Sequence, residues 1–279
     1  MIRSIIGKVV SYLVLVAIAL FGLAPFAILL LMSFKTRIQL LDGPFAITEI
    51  NLATIQRNYN EVWNHRGFGH DLINSIIVSG ASVLLALLFA VPAAYAISRF
   101  PFRGRETLGS TLVSFRFMPG VAVAIPIYLM INQIALTDTY PGLILPYIGI
   151  SLPLMIWILV GFFDEIPREL DDAGLVDGGS RLSTLWNIIL PLMGPGLVVA
   201  AIFGLIFVWN EFLIGLFVIN STDMQTIPIA AAGLLSAQRP IAYNEAAVVG
   251  MVTTVPVFLF SLIAQRWIVR GITAGAVAG

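Results

Sequence analysis

Residues 182–210 read LSTLWNIILPLMGPGLVVAAIFGLIFVWN, a run of 29 residues without a charged side chain. A helix that crosses the roughly 30 Å hydrocarbon core of a bilayer needs about 20 apolar residues. Each of five further charge-free runs is also long enough for one crossing and too short for two; they lie at 9–34, 72–98, 117–137, 139–163 and 246–265. The sequence therefore predicts an all-α membrane protein with six transmembrane helices.

The composition agrees with a membrane protein and excludes several other classes. Hydrophobic residues make up 59% of the 279 residues and charged residues only 11%, whereas a soluble domain carries about 25% charged residues. Fifteen basic residues balance 15 acidic ones, so there is no electrostatic case for a nucleic-acid partner. The chain lacks cysteine, and its two histidines, His65 and His70, are too few for a metal site. We expect neither a metal nor a cofactor.

The charge-free runs and their flanks predict one transmembrane domain over residues 1–279. Its helices are expected at about 9–33, 72–98, 107–134, 140–163, 195–219 and 246–268. The first run is too long for the apolar part of a cleaved signal peptide, so we expect a retained helix. Basic residues divide nine to five in favour of cytoplasmic N- and C-termini. The connections 35–71 and 220–244 then lie outside, and the connection 164–192 lies inside.

The connection 164–192 begins DEIPRELDDAGLVDGG, which predicts a short helix outside the membrane between helices 4 and 5. Pro167 suits the first helical turn, and the acidic residues after it favour the positive end of the helix dipole. Gly178 and Gly179 indicate the end of the helix. One face has two small residues at its centre; it consists of Leu170, Ala173, Gly174 and Asp177. This face is either solvated or a patch on which another protein packs.

The spacing within this connection resembles a known signature. Asp172-Ala173-Gly174, Gly178, Ile188 and Leu190-Pro191 follow the pattern EAA-x3-G-x9-I-x-LP of ABC importer permeases. The chain is similar to the MalG-like family of carbohydrate transporters, the binding-protein-dependent transport system inner membrane components. Further positions carry the resemblance along the chain: Asn74-Ser75, Ala94-Tyr95 with Arg99, Met118-Pro119, Asp138-Thr139, residues 143–147, Trp209-Asn210-Glu211-Phe212 and residues 271–277.

This resemblance implies a multi-pass permease of the bacterial inner membrane that is not itself an enzyme. A second permease subunit would complete the pore as a heterodimer, a cytoplasmic ATPase dimer would hydrolyse ATP, and an extracytoplasmic solute-binding protein would deliver a sugar-like solute. In the family, the loop that matches 220–244 reaches toward that binding protein.

The resemblance also implies that the short helix is a coupling helix that docks on the ATPase. The residues assigned to this contact are Asp172, Ala173, Gly174, Asp177 and Gly178. Asp172 stands where the signature has glutamate, Gly174 stands for the second alanine, and Ala278 stands for the usual C-terminal lysine.

Polar side chains inside the predicted spans are candidates for a pore, because ionisable residues are rare in lipid. Arg116 and Glu211 lie in the third and fifth predicted helices, at heights that differ by roughly 10 Å, so we do not expect a direct ion pair. Trp209 and Asn210 next to Glu211 offer an aromatic ring and an amide, which suit sugar recognition. The alternative for all four residues is helix packing, with an interfacial tryptophan.

Two other functions compete with an ABC permease. A secondary transporter or channel that does not use ATP would also explain six spans, but it leaves the EAA spacing unexplained, and the sequence has no paired halves. An intramembrane hydrolase is disfavoured because the chain has no cysteine and no histidine within a span. The sequence therefore favours the ABC permease.

Overall fold

The protein is described by a computed structural model that covers residues 2–45, 49–234 and 242–277. In these ranges every regular element is helical, as the sequence predicts. Short 3₁₀ or π turns lie at 39–42, 61–65, 115–117, 185–189 and 222–224. The α-helices are α1 (Ile2–Ser33), α2 (Leu52–Asn60), α3 (Phe68–Arg99), α4 (Arg105–Ser114), α5 (Gly120–Gln133), α6 (Tyr140–Glu165), α7 (Glu169–Val176), α8 (Arg181–Thr184), α9 (Leu190–Leu192), α10 (Gly194–Trp209), α11 (Leu213–Val218), α12 (Ile227–Leu234) and α13 (Tyr243–Val277).

Within the described ranges, four helical segments are long and apolar enough to cross a bilayer unaided. They are Gly7–Ser33, Phe68–Arg99, Tyr140–Glu165 and Tyr243–Ile263, and they coincide with the first, second, fourth and sixth predicted spans. The apolar side chains of α1 are widely exposed, with Phe21 at 85% and Leu20 at 65%. Exposing apolar surface to water is unfavourable by about 25 cal/mol per Å². The exposure of α1 therefore fits contact with lipid.

The third predicted span is interrupted where the sequence suggests one helix over 107–134. α4 ends at Ser114, a 3₁₀ turn covers 115–117, and α5 begins only at Gly120. Pro119 explains the break, because a proline disfavours the helical conformation of the residue before it. Met118 accordingly has an extended backbone, with ψ at 133°.

The fifth predicted span, 195–219, is also divided. α10 ends at Trp209 and α11 begins at Leu213, and Phe212 between them has φ −124° and ψ −42°. Before α10, the segment Arg181–Leu192 meets the helix at an angle of 80°. Pro195 lies in the first turn of α10, where its missing N–H leaves no helical hydrogen bond unmade.

The chain forms two compact units, of which the first contains the described residues of 1–69 and 230–255. Its apolar core consists of Val62, Phe68, Ala230, Val248 and Val249. The side-chain amide of Asn58 is buried and donates to the backbone oxygens of Ser33 (2.9 Å) and Lys35 (2.8 Å). These bonds pair carbonyl groups at the end of α1 that have no partner within a helix.

The second unit contains the described residues of 70–229 and 256–279, and α6 and α10 pack closely within it. A Cβ atom at Gly196 would lie 2.7 Å from the ring of Phe162, and one at Gly204 would lie 3.1 Å from Sδ of Met155. Small residues thus allow the two helices a close approach, as is common between membrane helices. A single functional domain over 1–279 stays a prediction.

Asp138 connects the α5–α6 turn with the chain after α11. Its Oδ1 accepts hydrogen bonds from the backbone N–H groups of Asn220 (2.7 Å) and Ser221 (2.8 Å). Partial burial acts to raise the pKa of Asp138, but the hydrogen bonds from Ser221 and Asn220 outweigh it and lower the pKa below its ordinary value. The folded state therefore favours the charged carboxylate.

We expect Asp138→Asn to lower the free energy of unfolding at pH 7 by about 1 kcal/mol, because a neutral amide oxygen is the weaker acceptor. Asparagine tolerates the positive φ of 56° at this position. The folded pKa lies below the unfolded one, so the wild-type advantage is present above the ordinary aspartate pKa of about 3.9. The advantage is lost as the pH falls through the folded pKa.

Unfolding midpoints of the detergent-purified protein between pH 7 and pH 3 measure this effect. Asp42→Asn removes an exposed carboxylate and is the control. A difference between wild type and Asp138→Asn that stays constant across this range would contradict the role of the charge.

Candidate functional site

Both ends of the short helix α7 are stabilised by nearby residues of the sequence. Three acidic residues, Glu169, Asp171 and Asp172, lie in its first turn, where the helix dipole favours negative charge. At the other end, the N–H of Gly178 donates to Leu175 O and the N–H of Gly179 donates to Gly174 O, each at 3.0 Å. This pattern is a Schellman motif, which needs a left-handed residue; Gly178 has φ +84°.

The residues that the sequence analysis groups on one small face of α7 differ in exposure. Ala173 and Asp177 are exposed together with Asp172, and Val176 is 87% exposed. Gly174 is instead buried within the chain. Gly178 is exposed, and a Cβ atom there would have no neighbour within 4 Å. The requirement for glycine at 178 therefore lies in its backbone conformation, whereas size is decisive at 174.

Gly174 allows α7 to lie directly on the following helical segment. A Cβ atom at this position would lie 2.7 Å from Oγ1 of Thr184 and 2.9 Å from Cδ1 of Ile188. Thr184 is itself buried and donates from Oγ1 to Ser180 O at 3.1 Å. No larger side chain fits at 174 without moving one of these groups.

Asp171 fixes α7 to the last turn of α3, a role that the sequence analysis did not assign. Its Oδ2 lies 2.9 Å from Nε of Arg99, and its Oδ1 accepts a 2.6 Å hydrogen bond from the hydroxyl of Tyr95. The side chains of Arg99 and Asp171 are only 3% and 6% exposed. Nη2 of Arg99 also donates to Ile166 O at 2.9 Å. We refer to Tyr95, Arg99 and Asp171 as the α3–α7 contact.

The two helix breaks face a common cavity of about 740 Å³. The α4–α5 break contributes Phe115 and Met118, the α10–α11 break contributes residues 210–212, and Pro153 comes from α6. Interrupted helices within a membrane protein are tolerated where they are buried in protein or line a water-filled cavity. The cavity lies within the range of about 300–1,000 Å³ that is typical of small-molecule sites.

Glu211 provides hydrogen-bond acceptors for the start of α11. Its Oε1 accepts from the N–H of Ile214 (2.9 Å), and its Oε2 accepts from the N–H of Gly215 (3.2 Å). Asn210 closes the end of α10 by donating from Nδ2 to Ile206 O at 2.7 Å. Both residues line the cavity, and their polar groups are bonded to the backbone at the two helix ends.

The other two pore candidates lie differently. Trp209 is 2% exposed, and its ring packs edge-to-face on Phe260 with ring centres 6.2 Å apart. Its role in a pore stays a prediction. Arg116 lies in the 3₁₀ turn of the α4–α5 break, but its side chain is outside the described part of the structure. Ala278 and residues 235–241 of the connection 220–244 are outside it as well.

The sequence matches a known protein family and several known proteins. A family model described as "Binding-protein-dependent transport system inner membrane component" matches residues 82–274. The chain is 38% identical to the trehalose transport system permease protein SugB of Mycobacterium tuberculosis, over 80% of this chain and 81% of that protein. It is 29% identical to the trehalose/maltose transport system permease protein MalG of Thermococcus litoralis, over 99% of both chains.

A solved structure shares the fold. It is the crystal structure of a bacterial ABC transporter involved in the import of the acidic polysaccharide alginate, and its matching chain has a TM-score of 0.76 with 21% identity. The match covers 94% of this chain and 96% of that one. This likeness shows a shared fold.

Proposed function

Because the chain belongs to the family of binding-protein-dependent transport system inner membrane components and is a permease subunit of an ABC importer, we propose that it conducts a carbohydrate-like solute. The solutes named for two similar permeases, trehalose and trehalose/maltose, support this substrate class. Family membership also favours ATP-driven import over the secondary transporter or channel that the six spans alone would allow.

We propose six transmembrane spans with both termini in the cytoplasm, the third and fifth of them formed by the broken helices. The positive-inside rule and the four long apolar helices support this topology. The chain has no cysteine, so single cysteines can be introduced and labelled from either side. Labelling of a cysteine at Arg181 by an impermeant reagent from the outside would contradict the topology.

The exposed face of α7 is the observation that carries the proposed coupling to ATP. Asp172, Ala173, Val176 and Asp177 present carboxylates around a small apolar centre, on a helix whose opposite face is fixed to α3 and the 184–188 segment. Such a surface suits a cleft of a partner with basic groups at its rim. ATP hydrolysis then takes place in partner ATPase subunits, and this chain receives the resulting movement through α7.

Ala173→Leu tests this docking surface. The change adds methylene groups to a close contact between proteins, and overpacking costs about 1–3 kcal/mol, a factor of roughly 5–150 in binding. We expect solute uptake and binding of the ATPase to fall by that factor, measured in the complete importer in proteoliposomes. Ala53→Leu, at an exposed alanine of α2, is the matched control. Full ATPase binding by Ala173→Leu would refute the docking surface.

We propose that the cavity between the helix breaks is this subunit's part of the solute path, completed by the second permease. The amide of Asn210 and the carboxylate of Glu211 offer hydrogen-bonding groups, and the rings of Phe115 and Phe212 offer apolar faces. This combination suits a solute with hydroxyl groups on an apolar ring. The connection 220–244 is the proposed contact for the solute-binding protein.

A further inference from the structure

Each end of α3 binds a segment of this chain that the proposed function places in contact with a partner protein. At the C-terminal end, the α3–α7 contact buries an ion pair with a tyrosine hydroxyl. Neighbouring groups strengthen the connection: Nη2 of Arg168 donates to Ser98 O at 3.1 Å, and the hydroxyl of Ser98 donates to Asp164. The link from α6 to α7 is therefore bonded to the last turn of α3 on both sides of Ile166.

The N-terminal end of α3 holds the chain that follows α11 in a similar way. Nδ2 of Asn74 donates to the backbone oxygens of Asp223 (3.0 Å) and Gln225 (2.9 Å). Oγ of Ser75 accepts from the N–H of Ile227 at 2.8 Å. Asn74 is itself held by the hydroxyl of Tyr140, which donates to its Oδ1 at 2.7 Å.

The two attachment points lie on one continuous helix. Asn74 and Arg99 are 25 positions apart on α3, which corresponds to about 37 Å at 1.5 Å per residue. A helix of this length reaches from one side of a bilayer to the other. One continuous helix, which contains Pro92, thus joins the segment 223–227 to α7.

We propose that Tyr95 and Arg99 are positioning residues for energy coupling, which bind Asp171 so that α7 and α3 move as one body and α3 carries the movement to segment 223–227. The proposal rests on the proposed docking of α7 on an ATPase. Buried ion pairs are costly to desolvate, and well-packed apolar residues often stabilise a fold equally well. The ion pair adds a defined orientation of α7 on α3, because the Arg99 guanidinium contacts both Asp171 and Ile166 O.

The test measures whether α7 keeps its position on α3 through the nucleotide cycle. Spin labels at Glu169→Cys on α7 and Leu84→Cys on α3, both exposed and both outside the proposed docking surface, report the distance between the helices in the assembled importer without nucleotide and with ATP trapped. In the wild-type background we expect the same narrow distribution in both states. A second pair at Leu84 and Thr222 reports on the other end of α3.

The double variant Arg99→Gln/Asp171→Asn removes both charges, so it leaves no unpaired buried charge of the kind that destabilises a single variant. We expect near-normal membrane levels but a broadened 84–169 distribution with ATP, shifted by up to about 5 Å, the slip of one helical turn. Tyr95→Phe keeps the ring and removes one hydrogen bond, and we expect an intermediate broadening. Glu165→Gln, at an exposed carboxylate in the last turn of α6, is the control.

Two results would overturn the proposal. One is an 84–169 distance that changes between nucleotide states in the wild-type background, which would show that α7 moves independently of α3. The other is a wild-type distribution in Tyr95→Phe and, where it accumulates, in the double variant. Failure of the proposed function is a different result, because the ATPase would then not co-purify with the wild-type chain.

Discussion

Gly174→Val should reduce solute uptake by about 5- to 150-fold, because the new side chain forces α7 away from the segment beneath it. A Cβ atom at 174 already lies within 2.7–2.9 Å of Thr184 and Ile188, closer than such atoms approach in folded proteins. Overpacking of this kind costs about 1–3 kcal/mol, which corresponds to the stated factor. The measurement is uptake by proteoliposomes that contain the complete importer.

Gly161→Val on α6 is the matched control, since a Cβ atom there has no neighbour within 4 Å. It introduces the same β-branched residue into a helix without a steric conflict. If Gly174→Val accumulated normally and transported as well as Gly161→Val, the close packing of α7 on 184–188 would not be needed for coupling.

Glu211→Ala is expected to lower uptake by at least about 5-fold, the equivalent of about 1 kcal/mol. The carboxylate accepts from two backbone N–H groups at the start of α11, and each donor left unpaired in the interior costs about 1–3 kcal/mol. The α10–α11 break would then rearrange, and with it the wall of the cavity. Uptake and membrane levels of the variant measure the two consequences separately.

Glu211→Gln separates the hydrogen bonds from the charge. It retains one acceptor oxygen at nearly the same position, so we expect it to keep more uptake than Glu211→Ala. Equal losses in the two variants would mean that the negative charge, and not the closing of the helix end, is what transport requires.

The short helix and its limits were predictable because their signals are local. Acidic residues after Pro167 and the pair Gly178-Gly179 mark the two ends of α7 in any context. Four of the long spans were equally clear, since a run of 20 apolar residues has few other uses. The two breaks were not predicted, because a proline in an apolar run such as Pro119 is also compatible with a kinked but continuous helix.

The arrangement of the site depended on tertiary contacts that no local pattern contains. Asp171 and Asp172 are adjacent and chemically identical in the sequence, yet one is buried on Arg99 and the other is exposed. Which side of α7 is buried depends on where the end of α3 lies. Arg99, at that end, is 72 positions before Asp171 in the sequence. Local sequence also placed Gly174 on the small face, whereas in the structure Gly174 lies against Thr184 and Ile188 of the same chain. Roles in ATPase docking stay predictions for all five residues assigned to that contact.

The position of Glu211 at the start of α11 also has a consequence for which solutes the cavity admits. A free helix start presents partial positive charge and attracts anions. Here the carboxylate of Glu211 already neutralises that charge, and it adds a negative group to the wall. As the proposed solute path, the cavity is therefore expected to admit neutral sugars in preference to acidic ones. Competition between a neutral disaccharide and its uronic acid counterpart measures this selectivity, and effective inhibition by the acid would contradict it.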